Sequence, residues 1–388
     1  MTPKTNSRKL CIYPIKGLRA VPLTSAELTP MGIKHDRRFM LWSLNDDGSL
    51  KSKLQVSSNP ELAVFSQTIV GEDPSLNEYE PTQDPESPGG LRRDKGPPAI
   101  TIRYLTPQMP IVPHHPSQDN TLEVPLEPDT SALQPVEYDL FGSGGTAYRM
   151  GDPYDSWFSA CLGYPAALVH IGNGRRPQLG FRPGPRAPAQ NWSQALVSSI
   201  SAAILYLLSL VGLADAATDW LGFSDMAPFL ITSTASLADI SSRVEEGPIG
   251  MHRFRPNIVI GPGAEPENLL PFEEDFWSQL TIFPSAKAKA TRPTFQVTGN
   301  CCRCVAVNVD YTTGRPSKGP RGTVFKKLMG YRRVDKGSKY EPIFGRYASL
   351  MTSATNVVAL GDIVEATSSS ERDVYDWPPW RKAKPKTE

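Results

Sequence analysis

The chain has 388 residues, and its 41 Lys and Arg against 40 Asp and Glu leave a net charge of +1. That balance excludes a protein that grips nucleic acid through a basic surface. Five Cys, three of them within four positions, do not make a secreted disulfide framework. The hydrophobic share of 39% can build a sizeable core, whereas 38 Pro, about twice the usual ~5%, mark long irregular loops. The N-terminus, MTPKTNSRKLCIYPIKG, lacks the apolar run of a signal peptide or N-terminal anchor, which predicts an intracellular chain.

In chain order, residues 9–70 alternate short apolar runs with turns. Lys9–Ile15, Ala26–Thr29 and Arg38–Ser43 read as strands, Asn45–Ser49 as a hairpin turn, and Ser52–Ser57 and Leu62–Ile69 as further strands. This spacing predicts an antiparallel sheet or barrel rather than alternating strand–helix units. From Gly71 to Pro135, 13 of 65 residues are Pro, and only Ala99–Tyr104 and Thr121–Val124 have strand character. The segment 71–135 is predicted to be an expanded, mostly disordered insertion.

Gly151–Leu162 has Trp157, Phe158, Cys161 and Leu162 at helical spacing, and Ala166–His170 reads as a strand. Arg175, Arg176, Arg182 and Arg186 follow in a Gly/Pro-rich loop, suited either to line an anionic pocket or to lie solvated on the surface. The stretch 193–214 carries no charged residue and is long enough to span a bilayer as a helix. Three readings of it stand: a membrane helix or interfacial anchor, a helix covering the barrel, and an insertion. Phe229–Thr232 is then a strand and Ser236–Glu246 a helix, with Ser236 and Asp239 as its capping box. Asn257–Ile260, Thr294–Val297, Cys304–Val309, Val357–Leu360 and Ile363–Ala366 complete the strands, Thr323–Tyr331 forms a short basic helix, and 368–388 is an unstructured tail. The predicted fold class is mainly β with some α (α+β).

Cys301-Cys302-Arg303-Cys304 is the densest reactive cluster. Structural zinc needs four well-placed ligands, and the remaining Cys11 and Cys161 lie alone in apolar segments. Two readings remain for the cluster. In one, a single thiolate is stabilised by the Arg303 guanidinium as a nucleophile or metal ligand; in the other, three Cys pack as small apolar residues. Lys16 with Gly17, Arg37, and Arg255 with Asn257 stand at the mouths of separate strands. There Lys16, Arg37 and Arg255 could converge on a phosphate. No Gly-rich nucleotide loop is present.

Taken in order, Y-P-I-K-G, M-G-I-K-H-D-R-R-F-M, S-D-M-A-P-F-L-I-T-S-T-A-S-L, F-R-P-N-I-V-I, C-x-R-C-x-x-x-x-V-D, F-G-R-Y and V-x-x-L-G-D resemble the MOSC-domain proteins with a MOSC N-terminal β-barrel. Among these the chain is most similar to the mitochondrial amidoxime-reducing component family. The resemblance covers roughly 9–70 and 136–366. It implies a MOSC N-terminal β-barrel domain over 9–170, an Arg-rich loop and apolar insertion over 171–217, and a MOSC β-barrel domain with peripheral helices over 218–367.

The resemblance also implies a molybdenum cofactor, a pterin dithiolene holding molybdenum, with Cys304 as the thiolate ligand and catalytic residue. By the same resemblance Lys16, Arg37, Arg255 and Asn257 hold its phosphate and pterin, and Asp225, Arg303 and Tyr347 take further cofactor-contacting positions. Gly17 and Met226 stand at two more such positions, where related chains have a Ser and a small polar residue. The implied activity is reduction of N-hydroxylated compounds of the amidoxime type, with cytochrome b5 and its reductase as external electron donor. The implied location is the mitochondrial outer membrane, with 193–214 as the membrane contact. The alternatives are a sulfur carrier for the cofactor and a cofactor-free barrel used for association.

Overall fold

The computed structural model describes residues 5–71, 91–92, 96–178, 220–245, 247–263, 269–284, 292–351, 356–372 and 374. Seven strands close into a barrel, in the order Ile258–Pro262, Phe229–Ser233, Ile343–Leu350, Thr294–Cys302, Trp277–Phe283, Ile363–Ser368 and Thr5–Ile12. Closure comes from the first strand of the chain. Thr5–Ile12 pairs antiparallel with Ile258–Pro262, Leu10 opposite Ile258, and its start pairs with Ile363–Ser368, Thr5 opposite Val364. Closing the sheet leaves no free edge.

The barrel interior follows from period-2 alternation. Val364 and Ala366 point inward between exposed neighbours, and Leu280 and Ile282 on the strand beside them alternate with half-buried residues. Ile343–Leu350 is buried along its whole length because it lies between two strands and under further elements.

A second sheet runs Gln134–Asp139, Gly144–Arg149, Ala166–His170, Phe39–Leu44 and Ile15–Lys16. Phe65–Val70, Ala99–Tyr104 and Leu122–Pro125 form a third, and the helix Tyr154–Leu162 packs on the shared core. Asn356–Ala359 pairs with Ser25–Thr29, a further crossing between the two halves of the chain. One apolar cluster, from Leu10 to Ala366, runs through both halves.

Several elements differ from expectation. Residues 96–135 hold two strands and buried Ile100, Ile102, Leu122, Val124 and Leu126, so the Pro-rich composition there marks turns between packed strands; 72–90 lie outside the described residues. Cys304–Val309 is a 3-10 turn over Val305–Asn308 rather than a strand. Leu62–Ile69 begins as a 3-10 turn, Pro60–Val64, before the strand Phe65–Val70. The helix Thr234–Ser242 is capped by Ser233, whose Oγ accepts from Ser236 N at 3.1 Å, so the cap lies one turn earlier than Ser236. Among the described residues no helix is long and apolar enough to cross a membrane, and 193–214, Arg182 and Arg186 lie outside them.

Candidate active site

A cleft of about 150 Å³ opens where the barrel meets the second sheet. It is lined by Lys16, Gly17, Arg37, Asp225, Arg255, Asn257, Arg303, Cys304 and Tyr347, all singled out from sequence. Met226 is buried behind this wall, in a small apolar cluster with Leu230, Cys301 and Tyr347.

One wall is cationic and built on strand ends. Lys16 ends the short strand Ile15–Lys16; its Nζ donates to Phe223 O at 2.6 Å and pairs with Asp225 Oδ1. Burial pulls the Lys16 ammonium down to about 8 against the opposing pull of Asp225, so it remains charged at neutral pH. Burial raises the Asp225 carboxyl, but Lys16, Arg37 and Arg176 outweigh it and hold the group down at about 2. Gly17 takes φ +98°, and a Cβ there would lie 2.8 Å from Leu62 Cδ1, so this position favours glycine over the Ser of related chains.

Arg37 and Arg255 both adopt left-handed backbone, φ 49° and 53°. Non-glycine residues hold that region only where surrounding structure fixes them. Here the fixing is visible. Arg37 Nη1 pairs with Asp36 and donates to Asn257 Oδ1 at 3.1 Å, and both guanidinium groups pack on the Tyr13 ring, at 4.8 and 4.4 Å from its centroid. Asn257 is the hub. Its Nδ2 donates to Asp36 Oδ2 (3.0 Å) and Cys11 O (3.2 Å), while its Oδ1 also accepts from Leu230 N (3.2 Å). With both donors and both acceptor directions used, Asn257 positions Arg37 and Asp36 rather than offering its own amide.

The other wall carries the thiols at the end of Thr294–Cys302. Cys301 is buried and hydrogen-bonded by the Tyr347 hydroxyl, and burial pushes its thiol up. Cys302 is half-buried and engages Ser338 and Glu341. Cys304 alone of the three is exposed. Arg303 lies beside the stacked Phe254 and Phe344 rings and donates to Phe254 O (2.7 Å) and Phe344 O (2.8 and 2.6 Å). It ties two elements together, and its charge is shared with those carbonyls. Desolvation in the cleft pushes the Cys304 thiol up, against the opposing effects of the Ala306 N–H and Arg303. Gly345 of the F-G-R-Y block, φ +81°, allows the close approach: a Cβ would lie 2.7 Å from Ile231 O.

Sequence inspection missed the turn 55–57 and Arg253, and it did not foresee the structural role of Arg176. Gln55, Val56 and Ser57, expected in a strand, line the cleft from the turn after Leu50–Lys53. Arg253 lines it too and donates to Val307 O at 3.1 Å. Arg176 is fully buried and donates to Gly222 O (3.1 Å), Ser224 O and Asp225 O (2.7 Å), which fixes the segment that carries Asp225. A buried Arg in a Gly/Pro-rich loop gave no signal of this.

The fold and the cleft define a closed β-barrel protein with an exposed thiol beside an anchored cationic wall. The MOSC domain matches residues 218–365, and the MOSC N-terminal β-barrel domain matches residues 5–85. The mitochondrial amidoxime-reducing component 1 of Homo sapiens is 26% identical over 367 residues, covering 92% of this chain and 81% of the relative. The mitochondrial amidoxime reducing component 2 of Macaca fascicularis is 35% identical over 351 residues, covering 88% and 78%. The molybdenum cofactor sulfurase of Oryza sativa subsp. japonica is 24% identical over 362 residues, 92% of this chain but only 34% of that protein. The chain belongs to the MOSC-domain family that carries a MOSC N-terminal β-barrel and includes the mitochondrial amidoxime-reducing components.

Proposed function

We propose that this chain is an oxidoreductase that binds a molybdenum cofactor in the cleft and reduces N-hydroxylated compounds of the amidoxime type. The observation that carries this reading is the placement of the exposed Cys304 thiol in one cleft with the Lys16, Arg37 and Arg255 cations. A soft sulfur donor and a separate cationic wall fit a group with a metal at one end and a phosphate at the other. The bound cofactor would supply the two-electron redox change: the substrate N–O bond breaks, and oxygen leaves as water with two protons from solvent.

The chain's own residues have definite tasks in this scheme. Cys304 would give up its thiol proton on ligation, because the thiolate is the metal-binding form. Arg37 and Arg255, clamped on Tyr13, present a fixed positive surface to the phosphate. Lys16 adds a point charge, and Asp225 holds that ammonium in place. Arg303 and Gly345 set the path of the backbone on either side of the thiol. Among the described residues no cluster of three or more His, Cys, Asp or Glu could hold a metal ion by itself, so the metal's other ligands would come from the pterin. The electrons come from an external donor, by resemblance cytochrome b5 and its reductase, and a mitochondrial location is the reading the names of the relatives support.

Cys304→Ser tests the assignment. Molybdenum content and N-reductase activity should both fall at least about 100-fold, with the circular dichroism spectrum unchanged. A variant with wild-type metal content and activity would remove Cys304 from this role. A sulfur-carrier role is the second reading, favoured by the same exposed thiol and by the similarity to the sulfurase over about a third of that protein. A persulfide on Cys304 in mass spectra of the purified chain, without N-reductase activity, would decide for it.

A further inference from the structure

The cleft opens beside a stretch of uneven charge. Residues 303–342, which run from the strand Thr294–Cys302 to the strand Ile343–Leu350, hold ten of the chain's 41 Lys and Arg but only three of its 40 Asp and Glu. The remainder of the chain is therefore net negative. Lys318, Lys326, Lys327, Arg333, Lys336 and Lys339 are all exposed. The three acids are engaged locally. Asp310 accepts from Thr312 N (2.8 Å) and Oγ1 (2.6 Å), buried Asp335 accepts from Asn300 Nδ2 (2.8 Å), and Glu341 accepts from the Ser338 hydroxyl (2.6 Å).

This stretch is tied to the thiol on both sides. Before Cys304, Arg303 N donates to Pro342 O at 2.8 Å, and Cys302 engages Ser338 and Glu341. After it, Asn308 Oδ1 accepts from Phe325 N at 2.9 Å, and Val307 packs with Val324 and Leu328 of the helix Val324–Tyr331. The loop that bears Lys336 and Lys339 and the helix that bears Lys326 and Lys327 therefore flank the exposed Cys304.

Apolar groups stand exposed among these cations. Tyr340 is 81% and Val305 50% exposed. A groove of about 590 Å³ lined by Arg315, Lys318 and Arg321 also takes in Met109, 70% exposed. Arg, Tyr and Met on one surface are the residues that protein interfaces favour. A surface that enters a membrane needs a continuous apolar face, and the apolar side of this helix, Val324 and Leu328, is buried in the core.

We propose that residues 315–340, with the groove beside Met109, dock an acidic protein surface, that of the external donor from which the reduction takes its electrons. This rests on the reductase activity proposed above. Each N–O bond broken consumes two electrons, so a one-electron carrier docks twice per turnover. The net negative remainder of the chain repels such a partner while this face attracts it, which orients the encounter toward the thiol.

Steady-state kinetics of the full chain, loaded with cofactor, test the face with two reductants. One is cytochrome b5 with its reductase; the other is reduced methyl viologen, a small cation that needs no docking face. Lys326→Glu with Lys327→Glu, and Lys336→Glu with Lys339→Glu, should each raise the KM for cytochrome b5 about tenfold or more at low ionic strength. Neither pair should lower the rate with methyl viologen. Arg8→Glu with Arg103→Glu, the same charge change at exposed positions elsewhere, should leave both rates unchanged. Fluorescence anisotropy with a labelled ten-residue poly-glutamate peptide makes the same comparison without turnover, and its affinity should fall about tenfold in both paired lysine variants. If wild type turns over with neither reductant, the reductase reading fails, and the peptide measurement still decides whether this face takes an acidic partner. Three results would overturn the docking face. The first is wild-type KM for cytochrome b5 and wild-type peptide affinity in both paired variants. The second is an equal loss of rate with methyl viologen. The third is binding to phosphatidylserine–phosphatidylcholine vesicles that both variants abolish with cytochrome b5 kinetics unchanged, which would assign the face to a membrane.

Discussion

The cationic wall of the cleft and its thiol wall are held in place very differently. Arg37, Asp36 and Asn257 are buried and cross-linked by hydrogen bonds, and Arg37 packs on the Tyr13 ring. Cys304 is exposed, and it begins a short 3-10 turn with no side-chain cap of its own. The cationic wall is thus part of the core that joins the two halves of the chain, while the thiol stands free of it. Changes to Arg37, Asp36 or Asn257 should damage the fold; a change to the Cys304 thiol should damage chemistry alone.

The largest expected effect is on Asp36. Asp36→Ala removes the carboxylate that neutralises buried Arg37 and accepts from Asn257 and the Tyr13 N–H. Leaving a buried charge without its partner costs about 3 kcal/mol, which urea denaturation will read directly; a loss under about 1 kcal/mol would mean the network is not a structural unit. Next comes Gly345→Ala, where strain at φ +81° adds to a 2.7 Å approach to the Ile231 carbonyl. About 2 kcal/mol is expected there, against about 1 kcal/mol for Gly17→Ala, where the atom met is the end of the Leu62 side chain. Equal costs at the two glycines would show that backbone strain alone decides. Cys304→Ser should change unfolding free energy by less than about 0.5 kcal/mol, as an exposed substitution does.

The smallest effect is a titration. Lys16 is pulled from 10.5 to about 8 by burial, so its positive charge is present below that value and lost above it. Sulfate, whose own charge is fixed across this range, should bind the cleft more weakly as pH rises through about 8, by roughly two- to fivefold. Asp225, held down at about 2, stays ionised throughout and adds nothing to the step. Lys16→Met should abolish the pH dependence; its persistence would assign the step to another group.

Much of this site was legible in the sequence because its residues sit in short polar blocks beside apolar strands. Lys16, Arg37, Arg255 and Cys304 each follow or precede such a run, and the fold brings those ends to one mouth. What was not legible depends on tertiary partners. Arg176 looked like a residue of a solvated or pocket-lining loop, and three backbone carbonyls make it a fully buried strut. Asn257 looked like a ligand-binding amide, and its four hydrogen bonds make it a hub. Arg303 promised to lower the neighbouring thiol; it does pull that way, but desolvation outweighs it. The alternation of Cys304–Val309 suggested a strand, but Val305 stays 50% exposed and the chain turns instead. Composition misled over 96–135, where Pro punctuates strands whose Ile100, Ile102 and Val124 are fully buried.

The most direct measurement is the metal content of the purified full chain, from cells supplied with molybdenum and able to make the pterin cofactor. The account predicts close to one molybdenum and one pterin per chain, both lost in Cys304→Ser while the fold is retained. A wild-type chain that is folded and free of both would contradict it.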